Sequence, residues 1–555
     1  MFLDAQQLQP DQVLTSQLCI VGAGAAGISM ALQFVDAGYD VLLLEAGGMK
    51  ADPATQALYA GSVVDEHLHS PPDTYRERRY GGSTTIWGGR CIPFDPIDFE
   101  RRDYVPDSGW PISYEDLKPY YPEANRLCEA GPFAYTIGES FKKPLPPAMI
   151  DGFSSSYFTT DTIERFSCPT DFGSRYRSTL EVSPKVRVVL HANVTAIRLD
   201  AGGTTVQRLE AATLDGRRFV VQAAQFVLAT GGLEVARLLL ANRDVHPNGI
   251  GNAHDLVGRY YMCHLAGTIG TIRIRGGAAT VHHGYDRDAG GIYCRRRFAL
   301  SPAAQRQMRV GNFIARLHHP RITDPAHRNA VLSLLYLARP FIPYEYAKRL
   351  HGDHHASTNE WIRHVANVAT GPHEAVGFAW HMLRDRRLAK RKFPSIIIKS
   401  RANLFSLDFH AEQQPLAASR VTLGEGRDAL GMPRLRIDWR YAPGDVDTVS
   451  RSLERLAEDL RLCGVGTFEY DRDQVEAEMT RYGAYGGHHI GTARMGADPR
   501  TSVVDPHGRV HGVDNLSIAS AAIFPTSSQA NPTLSIVALA LRMAERLKGT
   551  LKAAS

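Results

Sequence analysis

Two periods of apolar residues run along this chain. The first clear signal is LCIVG at 18–22, an apolar run that feeds GAGAAG, then a helix-spaced pattern through Gly38, then VLLLEAG at 41–47. Strand, helix and strand within about 30 residues make a β-α-β unit. A loop-rich stretch with RYGGSTTIWGGRC (79–91) follows. Strand character returns in VRVVLHANVTAIRLD (186–200), and strand followed by helix in FVLATGGLEVARLLLANR (226–243). These separated pieces predict one nucleotide-binding domain assembled from discontinuous segments.

Between about residues 270 and 480 the pattern changes to alternation of period two, the mark of half-buried strands. GTIRIRG, GIYCRRRFAL, NLFSLDFHAEQQ and PRLRIDWRY carry it, and DTVSRSLERLAEDLRLC (447–463) reads as a helix packed on the resulting sheet. The predicted fold class is α/β: a Rossmann-like nucleotide domain from 1–125, 186–269 and 483–555, a connection at 126–185, and an α+β substrate domain on an antiparallel sheet at 270–482. No internal repeat or low-complexity segment interrupts this order.

Bulk properties narrow the function classes. A chain of 555 residues exceeds what one core usually serves, so two interleaved domains are expected. A formal charge of +5, from 63 basic and 58 acidic residues, is too balanced to argue for nucleic acid. Seven scattered cysteines with no C-x-x-C pair indicate neither a zinc site nor a disulfide framework, so no metal is expected. The opening MFLDAQQLQPDQVL lacks a secretory pattern, and no uninterrupted apolar stretch is long enough to span a bilayer, which places the protein in the cytoplasm as an expectation. One basic run, RDRRLAKRK at 384–392, reads first as a solvated helix face and second as a membrane-surface or small-subunit contact.

Candidate chemistry sits at both ends of the chain. Gly22, Gly24 and Gly27 form G-x-G-x-x-G between strand and helix, where bare backbone N–H groups and the helix dipole receive a pyrophosphate. Glu45, at the end of the second strand, is placed to accept hydrogen bonds from ribose hydroxyls. Because the nucleotide elements are split by long insertions, a tightly held FAD is favoured over NAD. Near the C-terminus Asn531 precedes Pro532, Thr533 and a clean apolar helix, and reads as an N-cap whose helix presents partial positive charge. His488 and His489 lie in a glycine-rich turn, and a histidine is a natural base for an alcohol proton; spacing alone does not choose between them.

Taken together, VGAGAAG with Glu45, YGGSTTIWGG, LATGGLEVARLLLAN, GIGNAHDLVGRYYMCH and the ending HHIGTARMG through SSQANPTLSIVALALRMA resemble the glucose-methanol-choline (GMC) oxidoreductases over nearly the full length. The ending looks closest to bacterial sugar and polyol dehydrogenases and pyranose-oxidase-like members. The resemblance implies an FAD enzyme that oxidises a CH–OH group of a sugar, glycoside or polyol by hydride transfer to flavin N5. It carries the catalytic base to His488, three residues before Gly491, and the base's partner to Asn531. It carries FAD contacts to Gly22, Gly24, Ala25, Ala26, Gly27 and Glu45, and to Val194 for the adenine. Gly82, Ser83, Trp87, Gly88 and Gly89 would line the flavin, joined by Thr230, Gly231, Ala521, Asn531, Pro532 and Thr533. Pyranose oxidases bind FAD covalently through a histidine just before the matching tryptophan; Ile86 stands there, so the FAD is expected to be non-covalent. Oxygen, a quinone or a partner protein would take the electrons. Two other readings remain, a component of a multi-subunit or membrane-associated dehydrogenase and an enzyme of this fold with non-oxidative chemistry.

Overall fold

A computed structural model describes residues 1–143, 145–341, 357–395, 397–398, 403–481, 483–484 and 487–554. Its largest sheet is built around the first apolar run. Strand Val13–Val21 pairs in parallel with Val41–Leu44, which pairs with Val186–Leu190, which pairs with Phe2–Asp4. On its other side Val13–Val21 runs parallel to Arg218–Leu228. That long strand divides its free edge, pairing antiparallel with Val206–Ala212 near its start and parallel with Leu516–Ile518 near its end. Asn193–Leu199 completes the antiparallel flank. Strands buried on both faces read as continuous apolar runs, and here Val41 to Leu44 are all fully buried. The C-terminal helix Thr533–Ala554 packs on Ala25–Leu32, the helix that follows the first glycine loop.

Five strand ends of this sheet point the same way: Val21, Leu44, Leu190, Leu228 and Ile518 lead into Gly22, Glu45, His191, Ala229 and Ala519. Ligands of open α/β sheets bind beyond the carboxyl ends of the strands, where connections leave in opposite directions. Segments far apart in sequence therefore meet at one edge because they are neighbouring strands.

A second sheet has six strands in the order Gly466–Glu469, His264–Ile274, Leu404–Glu412, Phe313–His318, Phe298–Leu300 and Phe158–Thr159, antiparallel throughout. Helix Pro443–Leu462 covers one face, with Val449, Leu453, Leu456 and Leu460 buried at i, i+4, i+7 and i+11. The predicted single sheet is in fact spread over three. GIYCRRRFAL supplies Tyr293–Arg296 to a four-stranded sheet with Tyr285–Arg287, Ile163–Phe166 and Arg90–Cys91, and Phe298–Leu300 to the six-stranded one. The chain changes sheets at Arg297, whose buried guanidinium is held by Thr162 and Gln529. PRLRIDWRY contributes Pro433–Asp438 to a third sheet, beside Arg420–Arg427 and Ser62–Val63.

Alternation in the six-stranded sheet decides what the site is made of. In Leu404–Glu412, residues Phe405, Leu407, Phe409 and Ala411 enter the core under the helix, while Ser406, Asp408, His410 and Glu412 face the other way. The opposing register places Thr268 and Arg316 on either side of Asp408, and Ala266 beside His410. This second face is buried as well, so a polar row there needs polar company.

Candidate active site

One cavity of about 1660 Å³ lies between the carboxyl ends of the large sheet and the polar face of the six-stranded sheet. Gly22, Gly24, Ala25, Ala26, Glu45, Val194, Thr230, Gly231 and Ala521 line its nucleotide end. Gly82, Ser83, Ile86, Trp87, Gly88 and Gly89 line it from the 79–91 loop, which is tied to the first glycine turn by a Gly81 N–H to Ala23 O bond of 2.9 Å. His488, Asn531, Pro532 and Thr533 lie along the same wall. Of the residues singled out from sequence only Gly27 is off the cavity. A Cβ there would stand 1.9 Å from the Gly22 carbonyl oxygen, so this glycine serves close packing of helix on strand.

Two expectations change in detail. Glu45 is engaged by the chain itself: Ala23 N–H and Gly47 N–H each donate to it at 2.9 Å, leaving each oxygen further acceptor capacity. Burial pushes its carboxyl above the usual range, against those N–H donors. Asn531 is not the helix cap. The first helical bond runs from Ile536 N–H to Pro532 O at 2.8 Å, and the Asn531 amide turns instead to His488. The Ser528–Ala530 turn sets this direction: Ser528 has φ of 54°, and its hydroxyl donates to Asp98 at 2.6 Å.

The reacting end is assembled from several segments. Met262 and Ile490 exchange backbone hydrogen bonds of 2.9 and 3.0 Å, so the antiparallel register places His264 opposite His488. Their rings meet edge to face at 4.8 Å. Gly232 lets the turn approach, since a Cβ there would sit 2.2 Å from His489 O. Asn531 Nδ2–H donates to His488 Nε2 at 3.1 Å, which keeps that nitrogen an acceptor. Burial, then His264 and Arg90, hold His488 well below the ordinary histidine value, so its imidazole is neutral at pH 7.

His264, His410, Asp408 and Arg90 also line the cavity and were not assigned from sequence. His264 Nδ1–H donates to Ser528 O at 3.1 Å, which leaves Nε2 bare and without a partner. Arg316 bonds Glu164 at 2.7 Å and Asp408 at 2.6 Å, and Arg90 stands 3.6 Å from Glu164. Burial raises Glu164, but Arg316 and Arg90 outweigh it and hold the carboxyl low. Arg90 falls to about 10 through burial and the neighbouring Arg316, so it remains cationic beside the histidines.

His489 has a different surrounding from its neighbour. His69 Nδ1–H donates to Ser70 O at 2.5 Å, so Tyr261 donates its hydroxyl proton to His69 Nε2 at 2.8 Å. The Tyr261 oxygen then accepts from His489 Nδ1–H at 2.6 Å and from the Cys263 thiol at 3.4 Å. His69, Cys263 and His489 present ligand atoms within 4.8 Å of one another, and the Tyr261 hydroxyl links all three.

Buried neutral histidines make stability depend on pH. Burial lowers both His69 and His264 from 6.5 to about 4. The unfolded chain therefore binds more protons below pH 6.5, so their contribution is full above 6.5 and is lost as pH falls toward 4. Urea unfolding at pH 7.5 and pH 5 tests this: the midpoint is expected to drop at pH 5, and to drop less in His69→Gln.

Residues 17–354 match the FAD dependent oxidoreductase family and residues 415–540 the GMC oxidoreductase family. The chain is 25% identical to the 6'''-hydroxyparomomycin C oxidase of Streptomyces lividus, over 97% of its own length and 92% of that protein. It is 25% identical to the fructose dehydrogenase large subunit of Gluconobacter japonicus, over 98% of its own length and 99% of that protein. The crystal structure of pyridoxine 4-oxidase from Mesorbium loti shares the fold, with a TM-score of 0.51, 17% identity, and coverage of 96% of this chain and 99% of that one.

Proposed function

The chain belongs to the FAD-dependent GMC oxidoreductases, and from that premise we propose that it oxidises a CH–OH group of a sugar, glycoside or polyol, with His488 as base. The observation that carries this reading is the contact of a neutral His488 Nε2 with Asn531 Nδ2 at 3.1 Å, on the wall of the cavity that also holds the nucleotide residues.

Residues present suit FAD. The glycine turn leaves backbone N–H groups at the head of Ala25–Leu32 beside the cavity, and Thr230 Oγ1 and Asn531 Oδ1 are buried without partners. We assign the pyrophosphate to Gly22 through Ala26, the ribose to Glu45 and the adenine to Val194. Ser83, Trp87, Gly88, Gly89, Ala521, Pro532 and Thr533 would hold the remainder. Bound FAD supplies the hydride acceptor.

The chain's own residues manage the proton and the pose. A hydroxyl that displaces the Asn531 contact donates its hydrogen to His488 Nε2, and its oxygen accepts from Asn531 Nδ2–H. The bare His264 Nε2 and the row Thr268, Asp408 and His410 offer a donor and acceptors for further hydroxyls, which suits a polyhydroxylated substrate. Arg90, still cationic, stabilises negative charge that develops as the proton leaves. The hydrocarbon side chain of Ile86 has no nucleophile for a flavin bond.

Anaerobic mixing with sugars, glycosides and polyols tests the proposal. One of these is expected to bleach the flavin, with recovery on adding air or a quinone dye; a flavin that stays oxidised with all of them would count against it. Denaturation of the same sample is expected to release all flavin and leave the bare chain mass, and retained flavin mass would overturn the non-covalent assignment.

A further inference from the structure

We propose that the helical excursion at 357–394 is a membrane-docking surface, one that seats the mouth of the cavity on an anionic bilayer. The excursion has two helices, Thr358–Thr370 and Pro372–His381, followed by a wider turn at Met382–Arg387.

The first helix is attached by its polar edge. His364 is fully buried, hydrogen-bonds Ser333 at 3.0 Å and stacks on Tyr336 at 4.1 Å. Asn367 donates to Pro325 O at 2.9 Å and to Ser333 at 3.1 Å. Apolar residues face outward: Trp361 is 53% exposed and Ile362 57%. This inverts the usual arrangement, in which the apolar stripe of a surface helix faces the core.

The second helix carries an exposed apolar row of its own. Val376, Trp380 and Leu383 follow one another at i, i+4 and i+7, all exposed, and Leu388 extends the row. Clustered exposed aromatic and aliphatic side chains on adjoining helices mark a contact surface, whereas scattered single ones do not.

Charge selects the occupant. Residues 357–394 contain seven Lys and Arg against three acidic residues. Each acid has a local partner: Glu360 accepts from Ser357 N–H in a capping box, Glu374 from Ala330 N–H, and Asp385 pairs with Arg384 and His381. Arg363, Arg387, Lys390 and Lys392 are exposed beside the apolar rows. Tryptophan at an apolar face bordered by Lys and Arg is the composition of a helix lying in the headgroup region of anionic lipid. No helix among the described residues is long and apolar enough to cross a membrane, so the contact is peripheral.

Position gives the docking a consequence. Met382, Arg386, Lys392 and Phe393 line the cavity, so the surface that would meet lipid also borders its mouth. On the oxidoreductase reading above, a docked bilayer presents that mouth to lipid-soluble electron acceptors. Docking itself does not depend on which alcohol is oxidised.

The test uses the full-length holoprotein and sedimentation with vesicles of phosphatidylcholine containing a quarter phosphatidylglycerol, against phosphatidylcholine alone, at low salt. Binding is expected to be at least about tenfold stronger to the anionic vesicles, and brominated acyl chains are expected to quench tryptophan fluorescence. Trp361→Ser with Trp380→Ser is expected to abolish binding and quenching, and Arg387→Glu with Lys390→Glu to remove the preference for anionic lipid. Neither pair is expected to slow flavin reduction by a soluble alcohol. Absence of binding to either vesicle overturns the proposal, as does binding that survives the tryptophan substitutions. A stable dimer or protein complex that dissolves on those substitutions, while vesicles stay bare, overturns it in favour of a protein contact.

Discussion

His488→Ala lowers the rate of flavin reduction by about 10²–10⁴-fold, the range set by loss of a positioned general base, while the protein keeps its FAD. Retention is expected because the nucleotide end of the cavity is built by Gly22 to Ala26, Glu45 and Val194, none of which His488 supports. Stopped-flow reduction under anaerobic conditions reads the effect directly. The wild-type rate is expected to be flat above pH 7 and to fall only well below 6.5, because burial, His264 and Arg90 keep the imidazole neutral through the neutral range. In His488→Ala that acidic limb should vanish along with the rate. His489→Ala is the necessary comparison: its Nδ1–H is committed to Tyr261, so its loss should disturb the His69–Tyr261 chain and leave the acidic limb in place. Rapid reduction in His488→Ala would remove this residue from the mechanism.

Arg102→Met is expected to destabilise the protein by about 3–5 kcal/mol, the usual consequence of leaving one partner of a buried ion pair alone. Arg102 donates twice to Glu412, at 2.6 and 2.8 Å, and both side chains are almost entirely buried. Glu412 also accepts from Asn312 N–H at 2.9 Å and ends the strand that carries His410 and Asp408. Uncompensated, its charge has no water to move toward. Arg102→Met with Glu412→Leu should recover much of the loss, because the penalty comes from the orphaned charge more than from the pair itself. Chemical denaturation of the two single variants and the double variant closes the cycle. A single variant as stable as wild type would show that water reaches Glu412.

Histidine 264 and the row on Leu404–Glu412 show how far local pattern reaches. Phe405, Leu407, Phe409 and Ala411 alternate with Ser406, Asp408, His410 and Glu412, a period-two signal that reads as a strand. That the polar row is buried too, and faces a cavity, depends on the large sheet standing opposite. His264 ends the GIGNAHDLVGRYYMCH segment that carries the family resemblance, but local pattern gives it no role there, and it becomes part of the site only through the Met262–Ile490 pairing. The basic run at 384–392 reads as a solvated face, and Arg384, Arg387, Lys390 and Lys392 are indeed exposed; the inward His364 and outward Trp361 of the preceding helix appear only once that helix is docked on Ser333 and Tyr336.

What the chain determined by itself were features held by neighbours in sequence: the strand-glycine-helix start, the acidic end of the second strand, the helix over 447–463, and the nearness of His488 to a glycine-rich turn. Such features depend on local sterics and on periodicity, which a short window contains. Tertiary structure alone decided that Asn531 turns its amide to His488 instead of capping a helix, that Gly27 serves packing, and that the substrate-side strands divide among three sheets. It also set the neutral state of His488, because desolvation and the fields of His264 and Arg90 come from residues hundreds of positions away along the chain. Hydrogen bonds and electrostatic shifts act over a few ångströms of space, and only the folded chain fixes which residues share that distance.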